Sequence, residues 1–185
     1  MSKFGLPFFL EDTTGKLTGT DFVDLHNRMH LSIKQTLRDA HRSAYIIYDL
    51  SARPGARSGL LVPLITLDFT AQNGLGSVKI AAGEHVPMDK YLVRSAGTNG
   101  NARSRTFKAA DGQEYRWTLQ ADGDWQCTNA RTNYHIATYS MKPSGEPQYP
   151  SSSGCMLTVE EAFPHLVGEL LASLIIMRHI EKYSS

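Results

Sequence analysis

The stretch LVGELLASLIIMRHI, residues 166–180, decides the fold of this protein. From Leu170 to Met177 every residue except Ser173 is apolar, so a helix formed here has no polar face. A surface helix keeps a polar face, and a membrane-spanning helix needs about 20 apolar residues. We therefore expect this helix to be enclosed by the rest of the protein.

The expected central helix covers residues 158–182. Thr158 and Glu161 have the spacing of a capping box, in which two side chains satisfy free N–H groups at the start of a helix. Pro164 suits the first turn, where a helix has no use for the N–H that proline lacks. The preceding residues, 142–157, contain three prolines and three consecutive serines and are predicted to form an exposed connection.

The sequence before this helix is typical of β-strands. Residues 114–120 alternate, with Tyr115, Trp117 and Leu119 on one face and polar side chains on the other. Asp111 and Gly112, like Asp122 and Gly123 further on, are favoured hairpin turns. The segments predicted to be strands are 45–48, 60–69, 77–80, 105–109, 114–120, 125–127 and 133–139.

The predicted strands indicate a mainly β fold, in which they bury the single apolar helix on every side. The specific prediction is a single domain, residues 1–185, built as a closed antiparallel β-barrel around the buried apolar C-terminal helix. Residues 1–44 are harder to interpret. Within them, residues 20–42 fit either a helix with one apolar face or two strands joined around Asp39 and His41, and we favour the strands.

Composition excludes several classes of protein. The chain has 185 residues, 41% hydrophobic and 20% charged, which is typical of a folded globular protein. Its 19 basic and 18 acidic side chains nearly balance, which argues against a nucleic-acid partner. Since no transmembrane segment or secretory leader is recognisable, we expect a cytoplasmic protein, at most peripheral at membranes. Cys127 and Cys155 are then expected to be reduced.

Several segments resemble a family of uncharacterised fungal domains; they are residues 76–80, 88–92, 105–117 and 136–139 and the C-terminal helix. That family looks like a branch of the tubby-like and phospholipid-scramblase-like superfamily. The resemblance covers residues 45–182 and is strongest at 105–117. It implies a closed barrel of about a dozen strands around a buried C-terminal helix, in agreement with the fold predicted from the helix.

The resemblance implies three functional classes. Tubby proteins bind phosphoinositide headgroups through basic surface residues, and scramblase relatives associate with membranes. Small mushroom colour proteins, which hold a pigment noncovalently, look similar in size and in having one domain. For this chain the last class implies a small organic ligand, such as a noncovalent organic chromophore, and no required cofactor.

Aromatic side chains on the predicted strands are candidates for binding such a ligand: Trp117, Trp125, His135 and Tyr139. Stacking and a few polar groups orient a flat molecule in a cleft. Alternation puts His135 and Tyr139 on the opposite face from Ile136, so both are accessible if Ile136 faces the core. The alternative is that most of these rings fill the barrel wall and contact the helix.

Four basic residues are candidates for binding an anionic group, such as a lipid headgroup: Arg94, Arg103, Arg105 and Lys108. No acidic residue lies between positions 94 and 110, and residues 97–101 are rich in glycine and asparagine, as in a loop that wraps a phosphate. Arg53 and Arg57 would join this set if the fold brings their loop close. The alternative is a solvated basic hairpin that balances acidic surface elsewhere.

The sequence has no recognisable catalytic or metal-binding pattern. His26 and His30 have the i, i+4 spacing of two metal ligands on a helix, but no third ligand has a diagnostic spacing. Cys127 could act as a nucleophile with His85 or His135, but its neighbours indicate a buried and inert thiol. We therefore predict non-catalytic binding of a small molecule. Binding of anionic lipid headgroups is the alternative, and an enzyme of unrecognised chemistry is the third hypothesis.

Overall fold

The computed structural model describes residues 5–51, 61–95 and 103–183, which form one antiparallel β-sheet of 13 strands and a C-terminal helix. The mainly β fold with a helix at the C-terminus is therefore confirmed. The strands are β1 (Phe8–Asp12), β2 (Thr20–Asp24), β3 (His30–Arg38), β4 (Arg42–Asp49), β5 (Val62–Thr70), β6 (Ser77–Ile80), β7 (His85–Pro87), β8 (Val93–Arg94), β9 (Ser104–Lys108), β10 (Glu114–Leu119), β11 (Trp125–Asn129), β12 (His135–Ser140) and β13 (Cys155–Val159). The helices are α1 (Met88–Tyr91) and α2 (Val167–Tyr183).

The sheet is a meander whose first and last strands also pair. The order is β7-β6-β5-β4-β3-β2-β1-β13-β12-β11-β10-β9-β8. Every hydrogen-bonded pair except β1 with β13 therefore joins strands that are consecutive in the sequence. The two edges of the sheet, β7 and β8, are also consecutive in the chain. Since residues 88–92 are the whole connection between them, the two edges lie within about 20 Å of each other.

The odd number of strands explains why this sheet stays open. All neighbouring strands are antiparallel, so β7 and β8, first and thirteenth in the order, run in the same direction. Parallel pairing needs a crossover connection of about a dozen residues, and residues 88–92 are too few. Within the described residues the sheet is therefore not closed into a barrel, unlike the closed barrel predicted above. We call the gap between β7 and β8 the seam.

Helix α2 is buried on all sides, as its apolar sequence predicts. From Leu170 to Met177 every residue is at most 2% exposed. The helix contacts both halves of the sheet, because Ser173 meets Trp117 of β10 and the other end of the helix packs against Phe69 of β5. The prediction of an enclosed helix is confirmed. None of the helices in the described ranges is both long enough and apolar enough to cross a membrane.

The predicted start of the helix, at residue 158, is wrong. Thr158 lies in β13, which pairs with β1 on one side and β12 on the other. These two ladders satisfy the strand's backbone groups, so Thr158 and Glu161 have no helix end to cap. Helix α2 begins at Val167, after a 3-10 turn over Pro164–Leu166. The exposed connection predicted at 142–157 is likewise shorter, because β13 begins at the buried residue Cys155.

The N-terminal region forms strands, as we favoured. Residues 20–42 contain β2 and β3, and a tight turn leads into β4 at Arg42. Asp39 stabilises this turn, since its Oδ1 atom accepts hydrogen bonds from the backbone N–H groups of His41 and Arg42. The β-meander expected between residues 104 and 141 is also present, as β9 to β12.

Candidate functional site

A cavity of about 710 Å³ lies at the C-terminal end of α2. Its walls come from the loop at residues 15–18, from β4, β5, β10 and β11, and from the last turns of the helix. We call it the helix-end cavity. Sites for small organic molecules have volumes of about 300–1,000 Å³ and mostly apolar walls, so this cavity has a suitable size.

Aromatic rings form much of the wall of the helix-end cavity: Tyr45, Phe69, Trp125, His179 and Tyr183. His179 stacks on Phe69 with ring centroids 4.1 Å apart and an interplanar angle of 23°. Tyr45 meets Phe69 edge-on at 6.0 Å. Rings that are already held by their neighbours lose little conformational freedom when a ligand binds. The wall therefore combines three rings that are held in place and almost fully buried, Phe69, Trp125 and His179, with the more exposed rings of Tyr45 and Tyr183.

His179 contributes a neutral ring to this wall. It lies within 2.8 Å of the backbone oxygen of Asn73, and since a carbonyl only accepts, Nε2 carries the hydrogen. Burial lowers the pKa of His179, and the nearby charge of Lys182 lowers it further, while the bond to Asn73 acts in the opposite direction. At neutral pH the imidazole is therefore uncharged.

Arg178 places a fixed positive charge at the cavity. Its Nη2 atom donates a hydrogen bond to the backbone oxygen of Gly15 at 2.8 Å, and the guanidinium lies over the ring of Tyr139 at 4.7 Å. The fully buried Asp12 has Oδ2 3.9 Å from Arg178 Nη1, beyond hydrogen-bond distance. The same Oδ2 accepts a hydrogen bond from Tyr139 at 2.8 Å. Arg178 is thus oriented by neighbours that do not use all its N–H groups.

Two lysines add positive charge to the cavity lining. Lys16 comes from the N-terminal loop and Lys182 from the last turn of α2. The carboxylate that joins them in the lining is Glu181, which pairs with Arg103 at 3.6 Å. No salt bridge joins either lysine to a carboxylate within the described residues.

The structure separates the four aromatic residues predicted to bind a ligand. Trp125 lines the helix-end cavity and is 4% exposed. Trp117 and Tyr139 are fully buried in the core, so for them the alternative reading, that the rings fill the wall and contact the helix, describes the structure. Tyr139 does not line the cavity, but its ring lies against the guanidinium of Arg178, which does.

The prediction that the side chains of His135 and Tyr139 lie on the same face of the strand is wrong. The register between β11 and β12 shifts, so that Cys127 pairs with Ala137 but Thr128 pairs with His135. The extra residue, Ile136, is a β-bulge, and a bulge reverses the alternation of faces. Tyr139 therefore faces the core, while the partly exposed His135 lies on the outer face.

His135 takes part in a chain of polar contacts on that outer face. Its Nδ1 atom is 3.3 Å from Glu160 Oε1, and its Nε2 atom is 2.8 Å from Thr138 Oγ1. Hydroxyl, imidazole and carboxylate follow one another in the order of a catalytic triad. Thr138 borders a shallow depression of about 460 Å³ on the sheet surface. Such an arrangement is compatible with the third hypothesis, an enzyme of unrecognised chemistry.

Of the four basic residues predicted to bind an anionic group, three lie at or beside the seam and one, Arg103, lies at the helix-end cavity. Arg94 and Lys108 border a groove of about 580 Å³ at the seam, together with Lys90 of α1. Arg105 lies opposite Arg94 in the β8–β9 ladder but does not line the groove, and it donates a hydrogen bond to the backbone oxygen of Leu92 at 3.0 Å. Burial lowers the pKa of Arg105, and the charge of Arg94 lowers it further. Arg103 pairs with Glu181 at the helix-end cavity, as described above.

Part of the predicted phosphate-wrapping loop cannot be placed. Residues 97–101, and also Arg53 and Arg57, lie outside the residues that the structure describes. Hydroxyl groups do border the seam groove, since Ser95 and Thr106 line it and their oxygens are 2.9 Å apart. The groove is therefore a polar site in which three basic side chains stand beside one carboxylate, Glu114, and it is built from β7 to β10 and α1.

The histidine pair and the cysteines have other environments than a metal or catalytic site. His26 lies in the turn before β3 and His30 in β3 itself, where its Nε2 atom is 3.1 Å from Asp21 Oδ2. Within the described residues, no group of three potential ligands could hold a metal ion. Cys127 is fully buried, and burial raises the pKa of its thiol, which opposes formation of the nucleophilic thiolate.

Five residues of the helix-end cavity were not predicted to share a site: Lys16, Tyr45, Phe69, Arg178 and His179. One signal was available, because Arg178 and His179 are adjacent polar residues at the point where an enclosed apolar helix ends. A polar pair there must either reach solvent or find buried partners. The other residues come from distant strands and loops, and no local pattern connects them.

These observations define the class of protein. It is mainly β, with one buried helix and an aromatic cavity at the end of that helix. Comparison with protein families gives one match: the chain belongs to a family of unknown function, DUF6593, whose model matches residues 16–183. No curated protein and no solved structure matches the chain significantly. Family membership therefore assigns no activity, and function has to be argued from the site.

Proposed function

We propose that this protein is a non-catalytic binding protein that holds a small, partly aromatic organic molecule in the helix-end cavity. The observation that carries the proposal is the cavity itself: about 710 Å³ beside a buried helix, with five aromatic or imidazole rings in its lining. A flat ligand would stack on rings whose orientation the fold already fixes. Each favourable ring pair adds about 0.5–1.5 kcal/mol to the free energy gained from burying the rings.

The proposal includes a conjugated ligand such as a pigment. The resemblance to fungal colour proteins of the tubby-like superfamily motivates this choice, and an incompletely closed meander around a buried helix is compatible with that fold. A polarised environment tunes the absorption of a conjugated molecule, and Arg178 and Lys182 supply charges beside the rings. A cytoplasmic protein with a noncovalent chromophore and no other cofactor remains our prediction.

The proposal is tested on protein purified from its natural source. Native mass spectrometry should show a mass above that of the polypeptide, and denaturation should release a small molecule that absorbs beyond about 350 nm if it is conjugated. Expression of Leu119→Trp in the same host should give protein with less of the added mass, because the larger side chain narrows the cavity. Leu37→Trp on the exposed part of β3 is the matched control and should retain the ligand. A natural sample with no added mass would contradict the proposal.

A second candidate function is binding of an anionic lipid headgroup at the seam groove. It is favoured by one observation, the convergence of Lys90, Arg94 and Lys108 with two hydroxyl groups around one groove. Each Lys or Arg near an anionic membrane contributes about 1 kcal/mol, so three of them support weak, salt-sensitive binding. Partners of this kind would make the protein peripheral at membranes.

Co-sedimentation with phosphatidylcholine vesicles that contain phosphatidylinositol bisphosphate tests this second candidate. Binding should be lost in the double variant Arg94→Gln, Lys108→Gln. The matched control is the double variant Lys16→Gln, Lys182→Gln, which removes the same two positive charges at the helix-end cavity. If the protein does not sediment with these vesicles, or if the seam variant sediments like the wild type, the seam groove is not a headgroup site.

A further inference from the structure

We propose that the ligand of the helix-end cavity is a planar aromatic anion, with its ring against the aromatic wall and its acidic group among Lys16, Arg178 and Lys182. This inference rests on the proposed function and specifies the chemical class of the ligand. It follows from the distribution of charge in the cavity, from the geometry of Arg178 and from the position of the rings.

The charged groups of the lining are unequal in sign. Three cationic side chains, Lys16, Arg178 and Lys182, face one carboxylate, Glu181. Glu181 is already paired with Arg103, which lies outside the lining. His179 is uncharged at neutral pH for the reasons given above. Arg178 is paired with the buried Asp12 at 3.9 Å, so among the described residues Lys16 and Lys182 are the lining cations without a carboxylate partner, and they give the lining an excess of positive charge.

Arg178 is placed as a receptor for an acidic group. Its side chain is 12% exposed, so it is a largely desolvated cation. One N–H group is used by the Gly15 oxygen, and the nearest carboxylate, Asp12, is too distant to accept a hydrogen bond. A guanidinium presents five N–H groups in a plane and binds carboxylates or sulfonates through two of them. Within the described residues no other group accepts a hydrogen bond from the guanidinium, so its remaining N–H groups can bind a ligand.

Ring and charge are adjacent in the same cavity. Lys182 follows His179 by less than one helical turn, and its Nζ atom lies 5.2 Å from the ring centre of Tyr183. A molecule that stacks on the rings therefore has cations within reach of a short acidic substituent. A cationic aromatic ligand would be repelled by three like charges. A neutral aromatic ligand would gain no electrostatic attraction from them. Charge complementarity selects the anion.

Two dyes with the same aromatic frame test the inference on the purified full-length chain. 1-Anilinonaphthalene-8-sulfonate is anionic, and N-phenyl-1-naphthylamine lacks the sulfonate. Both should bind and accept energy from Trp125, and the anionic dye should bind about tenfold more tightly, since one additional charge-assisted contact has that effect. Leu119→Trp should weaken both dyes, which locates them in the cavity.

Lysine variants test whether the charge of the cavity, as distinct from its shape, determines its affinity for the sulfonated dye. The double variant Lys16→Gln, Lys182→Gln should lose about threefold to tenfold in affinity for the sulfonated dye and keep its affinity for the neutral dye. The matched control, Lys34→Gln with Lys79→Gln, removes the same net charge outside both candidate sites and should change neither affinity. Circular dichroism of each variant checks that the fold is retained.

The outcomes distinguish this inference from the proposed function. If neither dye binds in the cavity, the proposed function itself is contradicted. If both bind there with equal affinity, or if the Lys16 and Lys182 variant binds the sulfonated dye like the wild type, the cavity binds aromatic molecules but the inference of an anion is overturned. Preference for the sulfonated dye that survives Leu119→Trp reflects binding elsewhere and also overturns it.

Discussion

Trp117 Nε1 donates a hydrogen bond to Ser173 Oγ at 2.8 Å, and both residues are fully buried. The bond joins the centre of strand β10 to the centre of helix α2. Ser173 also donates to the backbone oxygen of Leu170 at 3.0 Å, so its hydroxyl is used in both directions. The one polar residue in the apolar run of the helix thus satisfies the one polar atom of a core tryptophan.

Ser173→Ala should destabilise the protein by about 1–3 kcal/mol, because it leaves the indole N–H buried without a partner. Urea unfolding followed by circular dichroism measures this. In the background of Trp117→Phe the same serine substitution should cost less, since no indole N–H remains to be satisfied. Equal effects of Ser173→Ala in the two backgrounds would show that the bond does not contribute to stability.

Leu171→Asp should prevent stable folding. Leu171 is fully buried in the enclosed helix, and an unpaired buried charge costs several kcal/mol against a total stability of about 5–15 kcal/mol. The same change at Leu37, which is 36% exposed on β3, is the matched control and should leave a folded protein. Soluble Leu171→Asp protein with a cooperative unfolding transition would contradict burial of the helix.

Stability should fall as the pH is lowered from about 7.5 to about 5.5. Burial depresses the pKa of His179 in the folded protein, while the unfolded chain takes up this proton near the ordinary value of 6.5. Below that value the unfolded state binds more protons, so the free energy of unfolding decreases. Thermal unfolding of His179→Gln, whose amide still donates to Asn73, should show a smaller decrease.

This comparison isolates His179 from other titrating groups. Burial raises the pKa of Glu169 in the folded protein, so Glu169 favours folding at lower pH and opposes the effect of His179. Because the two chains differ at position 179 alone, the contribution of Glu169 cancels. A pH dependence that is the same in both chains would contradict the depressed pKa of His179.

Both cysteines should be unreactive in the folded protein. Cys127 is fully buried and Cys155 is 5% exposed. Burial raises the pKa of Cys127, which disfavours the thiolate that attacks disulfide reagents. Dithionitrobenzoate should therefore label both thiols slowly under native conditions and rapidly in denaturant. Rapid native labelling that is abolished by Cys127→Ser would show an accessible, activated thiol and would revive the nucleophile hypothesis.

Local patterns predicted the elements well where one pattern dominates. The apolar run ending at Met177 indicated an enclosed helix, and the alternation around Trp117 indicated a strand with one buried face. The prediction was wrong at Thr158, where a helix-start pattern coincided with residues that pair on both sides in the sheet. It was also wrong at His135, because the bulge at Ile136 depends on the partner strand and leaves no trace in a single strand's sequence.

By itself the sequence determined that strands surround a helix which needs cover on every side, because hydrophobic periodicity is a property of neighbouring residues. Tertiary structure alone decided that Lys16 and Lys182 line one cavity, that Arg103 and Arg94 are separated, and that an odd number of antiparallel strands leaves a seam. These features depend on strand order and register, which are set by contacts between residues far apart in the chain.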